Sequence, residues 1–304
     1  MSLLVIGSVA FDAIETPFGK TDKIIGGAAT YISLAASYST KPVNLVAVVG
    51  DDFPASDIAL LQQHGVDTTG LQIKPGEKSF FWSGRYNRDL NSRDTLVTEL
   101  NVLGSFDPVI PEAYQKCDFL MLGNLLPAVQ RTVIERLRRR PKLVVLDTMN
   151  FWMDTAMDDL RETLQLVDVL SINDEEARQL SGEYSLIKAA RAIRAMGPHT
   201  LIIKKGEHGA LLFGADGQIF YCPALPLEDV FDPTGAGDTF AGGFIGHLAA
   251  ANRTDFAAMT RAVVHGSAMA SFCVERFGPE RLLNLTGAEI RAREAQFAAL
   301  VQMG

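Results

Sequence analysis

Val167-Asp168-Val169-Leu170-Ser171-Ile172, the helical stretches Asp174–Leu180 and Leu186–Met196, and Thr200-Leu201-Ile202-Ile203-Lys204 follow one another with only short turns between them. Each end is a short run dominated by Val, Ile and Leu, the composition of a strand covered on both faces. The middle is long enough for a helical crossover, so the unit reads as strand, helix, parallel strand with a right-handed connection. The same alternation continues outward. Further strands are expected at Leu3–Gly7, Val43–Val49, Phe119–Gly123, Leu143–Asp147 and Ala210–Phe213, and further helices at Gly27–Tyr38, Pro54–His64 and Ala128–Arg139. The C-terminal third is helical throughout, at Asp238–Ala250, Asp255–Val274 and Ala288–Gln302. The last of these opens on Thr286-Gly287-Ala288-Glu289, a capping-box spacing. The expected class is α/β, a central mostly parallel β-sheet flanked by helices.

Two segments break the pattern. Phe11–Lys23 and residues 71–101, with Ser79-Phe80-Phe81-Trp82-Ser83 inside the second, are aromatic or β-branched and lack a helical period. They predict a small β appendage, inserted twice, within a single domain spanning 1–304.

Composition narrows the function. The 304 residues are 47% hydrophobic and 21% charged, which excludes disordered and fibrous classes. Lys and Arg number 28 against 36 Asp and Glu, a net charge of −8, which argues against nucleic acid or an anionic membrane as partner. No apolar stretch reaches about 18 residues, and no basic segment precedes Leu3, so neither a membrane span nor a cleaved leader is expected. Cys117, Cys222 and Cys273 are far apart and form no CxxC pair, as for reduced thiols in the cytoplasm. The histidines at 64, 199, 208, 247 and 265 make no HxH or HExxH pair, so no structural metal is expected. Gly19-Lys20-Thr21 resembles the end of a Walker A loop, but Ile14 stands where the earlier glycine is required, and it reads as a turn. The basic run Arg136 to Lys142 reads as a solvated helix C-terminus.

The stretch richest in chemistry is Asp232-Pro233-Thr234-Gly235-Ala236-Gly237-Asp238-Thr239-Phe240, followed by Ala241-Gly242-Gly243-Phe244. A glycine-rich turn at a helix start directs several N–H groups into one small space, where the helix dipole also favours an anion. Asp238 stands at the mouth of that nest, where its carboxylate would accept a proton from an attacking hydroxyl.

This string resembles the C-terminal signature of the ribokinase-like (PfkB) carbohydrate kinases. The resemblance extends from Leu3 to Leu283 through motifs in the family's order. They are Gly7-Ser8 with Asp12, Gly26-Gly27-Ala28-Ala29, Val49-Gly50-Asp51-Asp52, His64-Gly65-Val66-Asp67, Asn173-Asp174-Glu175-Glu176 and Lys205-Gly206-Glu207-His208-Gly209. It implies a ribokinase-like fold whose small β-sheet is a lid, formed by about 11–23 and 71–101, and an ATP-dependent transfer of phosphoryl to an alcohol. By resemblance Asp238 is the general base, and Gly235, Ala236 and Gly237 form the anion hole. Asp12, Gly26 and Gly27 bind the substrate, and Asn173, Lys205, Gly206 and Gly209 the nucleotide. Glu176 places Mg²⁺ through water. Asp232 and Thr234 resemble positions that in some relatives border a monovalent cation such as K⁺. Lid strands that pair between subunits imply a homodimer.

The substrate is less determined. Asp147-Thr148-Met149-Asn150-Phe151-Trp152 lacks the arginine of the DxNxR pattern of some sugar kinases. Phe80, Phe81, Trp82 and Tyr86 would stack on a nucleobase, whereas Arg85, Arg88 and Arg93 would meet a sugar phosphate. A small sugar is the first expectation and a nucleoside the alternative. A third reading is a silent sugar-binding regulator, against which the intact Asp238 and its glycines speak.

Overall fold

The computed structural model describes residues 1–300. The chain begins with β1 (Leu3–Ile6), β2 (Ala10–Thr16), β3 (Gly19–Lys20) and β4 (Ile24–Gly26), then helix α1 (Ala28–Ser37). Next come β5 (Val43–Gly50), α2 (Ala55–Gln63), β6 (Val66–Lys74), β7 (Phe80–Tyr86) and β8 (Arg93–Glu99). The middle holds β9 (Phe119–Leu122), α3 (Pro127–Arg136), β10 (Leu143–Asp147), α4 (Asn150–Thr155) and α5 (Met157–Leu164). It continues with β11 (Val169–Asn173), α6 (Asp174–Ser181), α7 (Leu186–Arg194), β12 (Thr200–Lys204), β13 (Ala210–Phe213) and β14 (Ile219–Cys222). Helices α8 (Ala236–Ala251), α9 (Phe256–Cys273) and α10 (Gly287–Leu300) complete the described residues.

Nine strands form the large sheet in the order β14-β13-β12-β11-β10-β9-β1-β5-β6. All neighbours pair parallel except at one edge, where β13 runs antiparallel to both β12 and β14. Strand side chains alternate between faces, so Leu3 and Val5 pack on one side and Leu4 and Ile6 on the other. The first side is covered by α1, α8 and α9 through Tyr31, Ile32, Phe244 and Phe272. The second is covered by α3, α5, α6 and α7 through Val133, Leu160, Ala177 and Ile193. Strand order reverses at β1, since the chain moves to β5 on one side and later to β9 on the other. In open parallel sheets a ligand crevice lies at such a reversal, beyond the carboxyl ends of the strands.

The smaller sheet is mixed, ordered β3-β2-β7-β8 with β4 also paired to β2. The strand expectations from Leu3 to Phe213 agree with the observed elements to within a few residues, and strands β6 and β14 and helices α4 and α5 were not anticipated. Two boundaries of the appendage need correction. Leu71–Lys74 belongs to β6 in the large sheet, with Ala47 opposite Leu71 and Val49 opposite Ile73. There it pairs with the otherwise open backbone edge of β5, which a half-exposed segment satisfies without being apolar on both faces. Ile24–Gly26, beyond the expected end at Lys23, adds a strand to the small sheet. The expected end of the last helix at Gln302 lies outside the described residues.

Helices α1 and α8 run side by side with almost nothing between their backbones. A Cβ on Gly242 would collide with the Ile32 carbonyl, and one on Gly246 would lie 2.7 Å from the Ala36 Cα. Gly246→Val should therefore lower the unfolding temperature by several degrees, since overpacking typically costs about 1–3 kcal/mol. Unchanged calorimetric melting would show that the two helices have room to separate.

Candidate active site

Parallel strands deliver their last residues to one edge of the sheet. Asp147 ends β10, Asn173 ends β11 and Lys204 ends β12. Register places Asp147 beside Ser171 and Asn173 beside Lys204. The Lys204 ammonium lies 3.5 and 3.4 Å from the two Asp147 carboxylate oxygens. Burial disfavours its charge, but Asp147, Glu176 and Asp238 together outweigh that and hold the lysine above its usual range.

The 232–238 loop is tied down by one carboxylate. Asp232 accepts from the Thr234 N–H and from the Gly278 N–H, each at 2.8 Å. Gly235 then takes the left-handed conformation (φ 74°) that starts α8, and a Cβ there would lie 2.5 Å from the Tyr31 ring. Only glycine satisfies both demands. No side chain caps α8, so no protein side chain competes for its first-turn N–H groups. A Cβ on Gly237 would lie 3.1 Å from the Lys204 ammonium. Asp238, one residue on, is pushed up to about 7 by burial and then by Asp147, with Lys204 opposing.

Asp12 and the Gly26-Gly27 turn meet as expected. The Asp12 side chain occupies the space a Gly26 Cβ would need, and it accepts from the Gly27 N–H at 3.4 Å. Burial lifts this carboxyl to about 7, the Gly27 bond opposing and Asp232 adding to it. Asn173 and Glu176 form a reciprocal capping box. The Glu176 N–H donates to the Asn173 side-chain oxygen and the Asn173 N–H to the Glu176 carboxylate, both at 2.7 Å. Glu176 is also raised to about 7, chiefly by burial, with Lys204 pulling the other way. This pair thus serves the helix start as well as facing the cluster.

The small sheet closes over these groups. The Thr234 hydroxyl donates to the Tyr86 hydroxyl at 3.2 Å, and the Asn91 amide donates to Glu207 at 3.4 Å. Asp12 is in register with Trp82 on the neighbouring parallel strand, so both side chains leave the same face. Arg93, opposite Tyr86, stands 5.9 Å from the Trp82 ring and acts electrostatically on both Asp238 and Glu176. Arg85 instead pairs with Glu15 at 2.9 Å on the exposed side.

The sequence reading placed Lys205 at the nucleotide, but it is Lys204 that joins the carboxylates. Lys205 lies 5.9 Å from the Tyr221 ring. Gly206 and Gly209 shape the turn from β12 to β13, Gly209 at φ 80° against the Cys222 carbonyl. Asp232 and Thr234, expected beside a monovalent cation, are engaged in anchoring the loop. Lys204 was missed as a site residue, and Asp147 was noticed only as the start of the Asp147–Trp152 stretch, with no role given to it. The available signal was a lysine and an aspartate each closing an apolar parallel strand.

The model of the pfkB family carbohydrate kinases matches residues 2–284, and the chain belongs to that family. It is a kinase whose acceptor is a hydroxyl group. Cytidine kinase of Thermococcus kodakarensis is 33% identical over 251 residues, covering 81% of this chain and 87% of that one. The nucleoside kinase of Burkholderia thailandensis, solved with inosine, has the same fold with a TM-score of 0.77. Its identity is 20%, over 98% of this chain and 99% of that one. An Escherichia coli structure described as a ribokinase II, with ATP and Mg²⁺ bound, matches at a TM-score of 0.78 and 20% identity. That match spans 98% of this chain and 99% of the other. Among the described residues no helix is long and apolar enough to cross a membrane.

The raised carboxyls make a prediction about the ligand-free protein. Asp12, Glu176 and Asp238 each hold a proton up to about 7 when folded, above their ordinary values of 3.8, 4.5 and 3.8. The folded state therefore binds protons that the unfolded chain has released. This contribution is full below about pH 4 and is lost as pH rises through about 7. The unfolding temperature should fall between about pH 5 and pH 7.5, and Asp238→Asn should flatten the slope. A rising curve in that window would contradict the assignment.

Proposed function

We propose that this kinase phosphorylates a ribose hydroxyl of a nucleoside. The observation that carries the reading is the shared face of Asp12 and Trp82. One group suits sugar hydroxyls, and beside it an indole offers a flat apolar surface to a base. The relatives that act on or bind nucleosides support it over the small sugar expected first. The silent-regulator reading has no support, because Asp238 and its glycine turn are intact.

In this reading Asp12 and the Gly26-Gly27 backbone hold the ribose. Asp238 takes the proton of the attacking hydroxyl, and the Gly235–Gly237 turn receives the transferring phosphoryl. A loose transition state asks mainly for positioning and charge stabilisation. The turn joining β12 to β13, with Gly206 and Gly209, borders the ATP. Mg²⁺ fits the donor set, since Glu176 and its neighbours are carboxylates beside an anion-binding turn. Among the described residues no group of three or more acidic, His or Cys side chains forms a metal cage, as suits an ion that keeps its waters and takes phosphate oxygens. Mg²⁺ would supply charge neutralisation of the phosphates. A homodimer would use the outer edge of the small sheet, where β8 is exposed along its length.

A coupled ADP-release assay with Mg²⁺-ATP across nucleosides and sugars tests the substrate. The highest kcat/KM should belong to a nucleoside. Trp82→Ala should raise KM for that nucleoside by about 5- to 150-fold, the worth of a base–aromatic stack of about 1–3 kcal/mol. A sugar preferred over every nucleoside, or an unaffected KM, would overturn the reading.

Asp238→Asn tests the base. It keeps the shape but cannot accept the proton, so kcat should drop by about 10²–10⁴ with acceptor and ATP binding little changed. In the parent enzyme kcat/KM should rise with pH through about 7, as the carboxyl ionises. A folded variant with near-parental kcat would place the base elsewhere.

A further inference from the structure

Lys204 and Asp147 meet across an intervening strand, reaching over β11 from the ends of β12 and β10. Their side chains are only 16% and 8% exposed. A pair this buried is a poor stabilising device, because desolvation offsets most of the attraction and apolar residues would do as well. Its position explains it better. The ammonium abuts Gly237, in the middle of the turn whose N–H groups are free of side-chain caps. It also acts electrostatically on both Glu176 and Asp238, more strongly than Arg93 does.

We infer that Lys204 is a catalytic residue that contacts the transferring phosphoryl group at the Gly235–Gly237 turn, and that Asp147 is the positioning residue that holds its ammonium there. During transfer the acceptor oxygen forms a bond to the γ-phosphorus as the bond from that phosphorus to the β-phosphate oxygen breaks. Asp238 takes the hydroxyl proton and ADP leaves. Lys204 keeps its proton throughout, adding a full charge to the partial charges of the N–H groups. A fixed cation at that point is stronger than amides alone and needs no reorganisation as charge develops. Asp147, Glu176 and Asp238 keep it protonated in the empty cleft, and Gly237 leaves the space it occupies.

The inference rests on the phosphotransfer reading and not on which acceptor is used. The test therefore has one arm that contains no acceptor. Calorimetry compares a non-hydrolysable ATP analogue with ADP, both with Mg²⁺, on the parent protein and on Lys204→Met, Lys204→Gln, Lys204→Arg and Asp147→Asn. Removing the ammonium should weaken the triphosphate analogue at least about tenfold more than ADP in the folded variant, alongside a lower unfolding temperature because Asp147 is left buried without its partner. With the best acceptor, kcat should fall about 10²–10³-fold in the Met and Gln variants, the usual cost of one oxyanion-hole donor. Arg should restore part of it. Asp147→Asn should move the acidic limb of the pH profile to lower pH, because its charge helps raise Asp238, while the acceptor KM stays within about threefold. Equal loss of ADP and analogue binding, or a folded Met or Gln variant with kcat within about threefold of the parent, would make the pair structural. If no acceptor is found, the difference between ADP and analogue still decides for or against Lys204. If the Met variant does not fold, the Gln variant decides.

Discussion

Strands that run in one direction must end on one side of their sheet, and the charged cleft of this molecule follows from that constraint. Asp147, Asn173 and Lys204 are separated in sequence by whole crossover units, yet each is the final residue of its strand. The crossover helices return the chain to the same starting side each time, so polar strand ends accumulate at a single edge. Turns at that edge are free of the hydrophobic demand that fixes the strand interiors. The reversal of strand order at β1 lies in the same sheet, and the start of α8 meets this edge at Gly237, beside the Lys204 ammonium.

Once formed, that edge carries an imbalance. Asp12, Asp147, Glu176 and Asp238 crowd a region whose cations are Lys204 and, from the small sheet, Arg93. Burial together with mutual repulsion brings Asp12, Glu176 and Asp238 to near neutrality in the titration sense. A carboxyl poised there changes protonation state at small cost, which suits a proton acceptor. The same poise opposes the compact state when all of them are ionised, so the crowding of carboxyls in the cleft has a counterpart in reduced stability of the empty protein.

Much of the fold was legible because the strands covered on both faces are written as uninterrupted Val, Ile and Leu. β6 escaped for the opposite reason. Val66-Asp67-Thr68-Thr69-Gly70-Leu71 sits at a sheet edge, is only partly covered, and has no such run. The site was legible where its parts are contiguous. The Gly235–Asp238 turn and the Asn173–Glu176 box are each complete within a few residues. The Lys204–Asp147 pair was not, since its members are 57 residues apart and each alone reads as the polar end of a strand. Trp82 and Asp12 were each noticed singly, but only the register between β2 and β7 places them on a common face.

The backbone contact between α1 and α8 has a consequence for what the cleft accepts. The two helices are parallel, since Ile32 faces Gly242 and Ala36 faces Gly246. Their N-termini therefore lie at the same end, one carrying the Gly26-Gly27 turn and the other the Gly235–Gly237 turn. With the backbones this close at Gly242 and Gly246, little room is left for repacking to slide one against the other. In the proposed reading, in which these turns seat the acceptor and the phosphoryl group, the gap between them is thus a fixed gauge. An acceptor with its hydroxyl a bond nearer or farther must be matched by the small sheet, whose β2 carries Asp12, and not by the helices. Diversification of such an enzyme toward new acceptors would accumulate in the strands above the cleft and leave the two glycine turns untouched.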